Sequence, residues 1–288
     1  MEKQFYCIYD PYFTEESSVG ALRIYIKTEI GYINYNIAHA RDAECYADNW
    51  RLSFAYACDS ELLNPFALNP GAEWDMALMI KDRNDFIGGE LHGDEVFTSL
   101  SLTVDGEARD LSSIEKLTEF ETISFKVSSV GYDPSDHVSA ALLHKKEYTV
   151  TAKGLTLAQG VEWLNDYELK SCYMAMMPPL KQYVDHFFTD VDPEPKRITE
   201  SDFEIPNCSS ATFFGEESGL SFKMSVPIFK RLSTGGMLLV SDNGGRPYNK
   251  MYFPVCYKSG AVKLGDVWET VTEYEISRNK PCVSSAKS

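Results

Sequence analysis

The sequence has no apolar run long enough to cross a membrane. Its longest apolar stretches, such as Ala140 to Leu143 and Met237 to Val240, fall far short of the roughly 18 residues that a spanning helix needs. Residues 1–7 contain neither an apolar core nor the small-residue cleavage site of a signal peptide. We therefore expect no membrane partner and a cytoplasmic protein, or a phage-associated one if its role is structural.

Cysteines at metal-binding or redox spacing are also missing. The seven cysteines are an odd number, are scattered along the chain and form no Cys-x-x-Cys pair. A zinc site or a disulfide framework requires tighter grouping than this. We expect reduced and mostly buried thiols, and no metal site.

Basic residues are few and do not cluster. The chain of 288 residues has 27 Lys and Arg against 43 Asp and Glu, which gives a net charge of −16. Its basic runs are only pairs, such as Lys145-Lys146 and Lys230-Arg231. An acidic field of this size repels phosphate backbones, so we expect no nucleic-acid partner. Walker loops and the HExxH and GxSxG motifs are absent as well.

The dominant pattern in the sequence is an alternation of period two. Residues 50–58 place large apolar side chains at every second position, namely Trp50, Leu52, Phe54, Tyr56 and Cys58. Similar runs occur at 32–39, 96–104, 121–129, 146–152, 168–176, 219–226, 237–241, 249–256 and 266–276. Turn sequences such as Asp105-Gly106 separate them. The pattern predicts an all-β fold, an antiparallel β-sandwich or jelly roll of the concanavalin type with few short helices.

Helical signals are sparse. Leu111 to Phe120 is a candidate short helix, and 156–167 fits either a helix or a strand. A stretch rich in proline and acidic residues, 190–196, interrupts the strand pattern. We interpret 1–288 as one β-sandwich domain with a long Pro/acidic loop at about 190–206. The alternative is two domains joined by a linker.

The most concentrated polar sequence is segment 86–95, Phe-Ile-Gly-Gly-Glu-Leu-His-Gly-Asp-Glu. Its three glycines indicate close backbone approach or positive φ, and His92 lies among three carboxylates. An imidazole titrates near neutral pH, and a neighbouring carboxylate fixes its tautomer. We predict that His92 is a catalytic acid or base oriented by Asp94 or Glu95. A glycine-rich hairpin with capping polar groups is the structural alternative.

A second candidate site surrounds the end of a strand rich in tyrosine and asparagine. This strand carries Asn34, Tyr35, Asn36 and His39, and Arg51 opens the next one. If the two strands pair, His39 and Arg51 lie near the same end of the sheet. Aromatic rings stack on sugar faces, and amides and guanidinium groups bind hydroxyls and carboxylates. We predict His39 and Tyr35 as catalytic and Arg51, Asn34 and Asn36 as substrate-binding, with ordinary core packing as the alternative.

A third candidate, segment 242–252, begins as a tight turn and continues into a strand. This strand carries Arg246, Asn249, Lys250 and Tyr252. Amide, ammonium and phenol groups on a concave sheet suit an anionic sugar. We predict substrate binding by Arg246, Asn249 and Lys250 and a catalytic role for Tyr252. A hairpin with polar edge residues is the alternative.

Segments 32–39, 49–51, 88–95 and 249–253 together resemble bacterial and phage carbohydrate-active β-sandwich proteins. The jelly-roll polysaccharide lyases are the nearest family, and the resemblance is spread over most of the chain. It implies an oligo- or polysaccharide partner and cleavage of a uronate-containing glycan by β-elimination. In that reaction Arg51 or Asn249 would neutralise the sugar carboxylate. His92 or His39 would take the C5 proton, and Tyr35 or Tyr252 would protonate the leaving oxygen.

The alternative function is a non-catalytic glycan-binding or phage-structural β-sandwich that uses the same residues for recognition alone. No cofactor is expected, although the oxygens of Asp94 and Glu95 are of the type that holds calcium. Of the remaining histidines, His137 is interpreted as capping a turn and His144, which precedes two lysines, as solvated. The oligomeric state stays open.

Overall fold

The computed structural model describes residues 5–14, 18–58, 62, 65–69, 71, 73–88, 92–151, 154–199, 202–230, 232, 237–241 and 245–278. Strands β1 to β11 are Phe5–Asp10, Ser18–Lys27, Tyr32–Asp42, Ala47–Cys58, Phe66–Ala67, Ala77–Ile80, Ile87–Gly88, Glu95–Val104, Glu107–Arg109, Thr118–Glu119 and Ile123–Tyr132. Strands β12 to β22 are Ala140–Thr151, Gly154–Trp163, Tyr167–Met177, His186–Thr189, Lys196–Arg197, Phe203–Pro206, Ser210–Phe214, Leu220–Phe229, Met237–Ser241, Lys250–Val262 and Val267–Arg278.

Most strands join one large sheet. Its order is β10-β1-β2-β3-β4-β8-β11-β12-β13-β22-β19-β18-β15-β16, with β5 paired to β4 and β9 to β8. The pairs are antiparallel except for a short parallel contact between β4 and β8, at Ala47 and Asp48. The antiparallel strand pairs confirm the all-β prediction.

A smaller sheet, in the order β17-β20-β21-β14-β6-β7, packs on the large one. The main apolar cluster combines Ala175 and Phe253 of the small sheet with Leu52 and Tyr148 of the large sheet. A second cluster joins β6, β14 and β21 to Trp163 and other residues of β12, β13 and β22. Apolar side chains from both sheets therefore fill the space between two layers, which confirms the predicted sandwich.

The predicted helix at 111–120 is wrong. The chain forms only a single 3-10 turn at Leu111–Ser113, and then the edge strand β10, which pairs with β1. Ile114 and Phe120 are buried in the main core and anchor this segment in an extended path. Segment 156–167 lies in and after β13, where pairing with β12 and β22 on both sides favours the strand. No helix in the described part of the chain is long and apolar enough to cross a membrane.

The proline-rich stretch carries the chain from one sheet to the other. Within 190–206, β16 (Lys196–Arg197) belongs to the large sheet and β17 (Phe203–Pro206) to the small one. None of the six described cysteines is in a disulfide, and five of them are buried. Burial raises the pKa of the Cys7 thiol to about 12, so this thiol stays protonated at neutral pH.

A buried ion-pair network crosses the sandwich interior. Lys146, on β12, donates from Nζ to the Trp50 carbonyl at 2.5 Å. The same Nζ lies 3.4 Å from Asp75 Oδ2 and 4.0 Å from Glu95 Oε1, and the Tyr148 hydroxyl donates to Asp75. All four ionisable side chains are almost fully buried. Charges this far from water persist only when they are paired, so the lysine and the carboxylates depend on one another.

His144 belongs to the same network, so the interpretation of this residue as solvated is wrong. Its Nδ1 lies 2.8 Å from Glu95 Oε1, and the Ser129 hydroxyl donates to the same oxygen at 2.5 Å. Burial alone would raise the pKa of Glu95. Lys146 and His144 outweigh burial, however, and the pKa lies well below its ordinary value. The alternation of β12, which turns every second side chain inward, places His144 inside.

Candidate functional site

A row of aromatic rings runs along the solvent-facing side of the small sheet. Tyr173 of β14 and Tyr252 of β21 are each partly exposed, and their ring centroids are 4.8 Å apart. Phe86, which precedes β7, lies 6.4 Å from Tyr173, and His92 lies 4.8 Å from Phe86. We call His92, Phe86, Tyr173 and Tyr252 the aromatic row.

Strand alternation explains why these rings face outward. On β14, Cys172 and Met174 point into the core, so Tyr173 between them points to the other side. On β21, Met251 and Phe253 are buried, and Tyr252 between them is partly exposed. The outward position of Tyr173 and Tyr252 is therefore a consequence of period-two alternation on two adjacent strands.

Two cations lie at the Tyr252 end of the row. Lys250 Nζ lies 5.7 Å from the Tyr252 ring centroid and 5.3 Å from that of Tyr248, and it forms an ion pair with Glu73. Burial lowers the pKa of Lys250, with Glu73 acting in the opposite direction and the nearby charge of Arg246 adding to the lowering. Arg246 itself is exposed. The ammonium is thus held by one carboxylate between two ring faces.

His92 forms the opposite end of the row and pairs with Asp85. The imidazole Nδ1 lies against Asp85 Oδ1, and this oxygen also accepts a hydrogen bond from the Phe86 backbone N–H at 2.8 Å. The expected orienting partners, Asp94 and Glu95, contact other histidines instead. With Nδ1 engaged by Asp85, Nε2 is the ring nitrogen left to face a ligand.

Four of the predicted site residues therefore belong to one face: His92, Tyr252, Lys250 and Arg246. His39 lies elsewhere, at the far end of β3, where it stacks on Trp50 at 4.9 Å and its Nε2 is 2.6 Å from Asp48 Oδ1. Asn249 is buried, with only 1% of its surface exposed, and its backbone N–H donates to the Pro179 carbonyl. Asn249 thus lies on the core side of the strand that presents Lys250.

The other three predicted residues of β3 and one of β4 do not join that face. The Tyr35 hydroxyl points into the core and accepts a hydrogen bond from the Ile276 N–H at 3.2 Å, and burial raises its pKa. Asn34 and Asn36 are buried and donate from Nδ2 to the backbone carbonyls of Ile24, at 3.2 Å, and Phe54, at 2.8 Å. Arg51 lies between Trp50 and Leu52 on β4, and both of these point into the main core. Arg51 is therefore buried on the opposite side of the strand.

Sequence reasoning missed a histidine–carboxylate pair formed by His137 and Asp94. The His137 Nδ1 lies 2.6 Å from Asp94 Oδ1, although 43 residues separate them. The turn signal at Asp133-Pro134 is visible in the sequence, and the His137 N–H donates to the Asp133 carbonyl at 2.9 Å. Nothing in the sequence predicts which carboxylate this turn meets.

Asp94 and Glu95, considered as calcium ligands, each have a histidine partner, and their side chains contact different residues. Among the described residues, no group of three His, Cys, Asp or Glu side chains has an arrangement that could hold a metal ion.

No protein-family model matches the chain, and no curated protein matches its sequence. Solved structures with a similar course include the Slr1438 protein of Synechocystis sp. PCC 6803, at 9% identity and a TM-score of 0.45, covering 93% of this chain and 100% of that one. A candidate aldose 1-epimerase of Escherichia coli K12 aligns at 9% identity and a TM-score of 0.46, covering 86% of this chain and 96% of that one. A galactose mutarotase-like protein of Clostridium acetobutylicum aligns at 8% identity and 0.41, covering 90% and 96%. At TM-scores below 0.5, no function follows from these alignments.

Proposed function

We propose that the protein binds a carbohydrate and that the glycan lies along the aromatic row. The observation that carries this proposal is the succession of partly exposed rings from His92 to Tyr252, ending at Lys250 and Arg246. Sugar rings have apolar C–H faces that stack on aromatic side chains and hydroxyl rims that need hydrogen-bond partners. A row of rings with polar groups at both ends supplies both kinds of contact.

The spacing of the row supports an oligosaccharide ligand. Consecutive ring centroids are 4.8, 6.4 and 4.8 Å apart, so the rings form an extended surface on the sheet. Burial raises the pKa of Tyr173 to about 12, so its hydroxyl stays protonated at neutral pH and can donate to a sugar oxygen. Several stacked contacts along this succession of rings would bind successive units of a chain.

The catalytic form of this proposal is a polysaccharide lyase that acts on a uronate-containing glycan. In this form His92 is the base that takes the C5 proton, and Tyr252 is the acid. Burial raises the pKa of Tyr252 far above its usual range, which keeps the phenol protonated, as an acid must be. Arg246 is the better neutraliser of the sugar carboxylate, because Glu73 already compensates the charge of Lys250. The net charge of −16 opposes an anionic substrate outside this local cluster.

Affinity electrophoresis on gels containing alginate, polygalacturonate or a neutral glucan tests the binding proposal. We expect at least one polysaccharide to retard the wild-type protein and to retard Tyr173→Ala much less. Tyr12→Ala is the matched control, because Tyr12 is 86% exposed and lies outside the row. Failure of every polysaccharide in a wide panel to retard the wild type would refute the proposal.

Absorbance of the unsaturated product separates the two forms. A lyase gives a product absorbance that His92→Ala removes. A binding protein is retarded on the gel but forms no product. The binding proposal survives the second result, and the lyase form does not.

A further inference from the structure

A cavity separate from the aromatic row lies at the end of the β3–β4 hairpin. It has a volume of about 640 Å³ and is lined by, among others, Arg41, Tyr46, Asp48, Tyr132 and His137. Cavities of about 300–1,000 Å³ are typical of small-molecule sites. The cavity is therefore large enough for a ligand of the size of one or two sugar rings.

His137 is held in a fixed orientation at the wall of this cavity. Its Nδ1 lies 2.6 Å from Asp94 Oδ1, and the Asp94 side chain is only 2% exposed. The Tyr46 ring stacks on the imidazole with a centroid distance of 4.0 Å and an interplanar angle of 4°. A carboxylate at Nδ1 fixes the tautomer with the proton on that nitrogen, so Nε2 carries the lone pair. Because 34% of the His137 side chain is exposed and the residue lines the cavity, a ligand in the cavity can contact it.

The backbone around the pair is arranged to hold it. Tyr46, Asp94 and His137 all have left-handed φ values, 53°, 53° and 59°. Asp94 donates its N–H to the Cys45 carbonyl at 2.9 Å, and Gly93 passes so close that a Cβ there would lie 1.6 Å from the same oxygen. Residues other than glycine rarely adopt this backbone conformation unless the surrounding structure holds them in it. The hairpin end and the loop before β8 are thus packed so that the three side chains meet.

The charges at the cavity favour a neutral ligand over an anion. Arg41 is the cation of the lining, and it lies 3.9 Å from Asp48, which also contacts His39. Asp42 is a further carboxylate in the lining. Burial raises the pKa of Asp94, while His137 lowers it and the nearby charges of Asp85 and Asp133 raise it further. Carboxylates accept hydrogen bonds from hydroxyl groups and repel anions.

We propose that this cavity binds a neutral polyhydroxylated molecule, such as a single sugar, and that His137 Nε2 accepts a hydrogen bond from one of its hydroxyl groups. The Asp48 carboxylate accepts from a second hydroxyl, and the rings of Tyr46 and Tyr132 contact the C–H faces. In this arrangement the imidazole is also positioned to take the proton of the bound hydroxyl, because Asp94 stabilises the resulting imidazolium. This proposal does not depend on glycan binding at the aromatic row.

Diethyl pyrocarbonate, which reacts with unprotonated imidazole nitrogens, probes the site directly. The rate of modification of each histidine is followed by mass spectrometry with and without galactose, glucose or glucuronate. His186 of β15 is the internal control, because its side chain is also partly exposed, at 22%, is paired with Asp185, and belongs neither to the cavity nor to the aromatic row. We expect at least one of the two neutral sugars to slow modification of His137 at least about threefold without changing the rate at His186.

Variants separate binding from mere folding. Tyr46→Ala should abolish the protection, and Tyr46→Phe should retain it, because only the ring stacks on the imidazole. Asp94→Asn removes the carboxylate that holds the imidazole in its orientation, so protection of His137 by the sugar should fall in this variant.

The proposal is overturned if neither neutral sugar protects His137, or if glucuronate alone does. Equal slowing at His186 would also overturn it, because the effect would then not belong to this cavity. Loss of glycan retardation in Tyr173→Ala with unchanged protection of His137 would show that the two sites are separate.

Discussion

Replacing Lys146 with methionine should destabilise the protein strongly, and by an amount that depends on pH. The ammonium lies within hydrogen-bond or ion-pair distance of the Trp50 carbonyl, Asp75 and Glu95, at 2.5, 3.4 and 4.0 Å. Removing one partner of a buried ion pair costs about 3–5 kcal/mol. Methionine fills a similar volume, so little cavity cost is added. Because His144 still contacts Glu95, we expect a loss of unfolding free energy at the lower end of this range, about 3 kcal/mol.

The pH dependence follows from the pKa of Glu95. In the wild type this pKa lies below its ordinary value of 4.5, so the carboxylate contributes stability above that pH and loses it as the pH falls. Without the ammonium, burial dominates and the pKa of Glu95 in the folded protein rises. Compared with the wild type, the variant is then least destabilised at acidic pH. It loses stability as the pH rises towards neutral. The difference between wild type and variant should therefore grow from pH 4 to pH 7.

Urea unfolding followed by tryptophan fluorescence measures this difference, since Trp50, Trp74, Trp163 and Trp268 are all buried. Lys145→Met is the matched control, because Lys145 is the next residue on β12 and is exposed. It should change the free energy of unfolding by no more than about 0.5 kcal/mol. The reasoning is refuted if Lys146→Met costs no more than the control, or if its cost is the same at both pH values.

Two other changes test local features of the fold. Gly93→Ala should destabilise the protein severely, because the new Cβ would lie 1.6 Å from the Cys45 carbonyl oxygen at a φ of +77°. Gly106→Ala, at a φ of +81° with open space around it, should cost only about 1 kcal/mol, and thermal unfolding that gives equal losses would contradict the clash. Asp133→Asn should cost about 1–2 kcal/mol at neutral pH, because the bidentate contact with Arg83 lowers the pKa of Asp133 to about 2. This loss should shrink as the pH falls from 4 towards 2, and urea unfolding that gives a pH-independent loss would refute that assignment.

The fold could be predicted because strand alternation is a local property. The runs at 219–226 and 266–276 correspond to β19, Leu220–Phe229, and β22, Val267–Arg278. The helix at 111–120 was wrong for a non-local reason. Phe120 is drawn into the core and its N–H donates to the Phe5 carbonyl, more than a hundred residues away in the sequence. A local helix signal does not include that contact.

The site could be predicted only in part, because alternation assigns two faces to a strand without identifying the exposed one. Tyr35 and Tyr252 both lie in segments that alternation predicts as strands. The first is nevertheless buried between the sheets, and the second is partly exposed. Contacts between side chains that are distant in sequence could not be predicted either, because alternation carries no information on which strands or loops meet. Asp94 was expected to orient His92 because they are neighbours in sequence, whereas the fold places Asp94 against His137.

The central proposal is glycan binding along the aromatic row. Its most direct test is a calorimetric titration of an oligosaccharide into the wild type and into matched tyrosine variants. The ligand is an oligomer of whichever polysaccharide retards the wild type. Tyr173→Phe keeps the stacking ring and loses only the hydroxyl, so it should weaken binding less than Tyr173→Ala does. Tyr173→Ala should weaken binding about tenfold or more, which corresponds to about 1.4 kcal/mol. Equal affinities of wild type, Tyr173→Ala and the control Tyr12→Ala would contradict binding along the row.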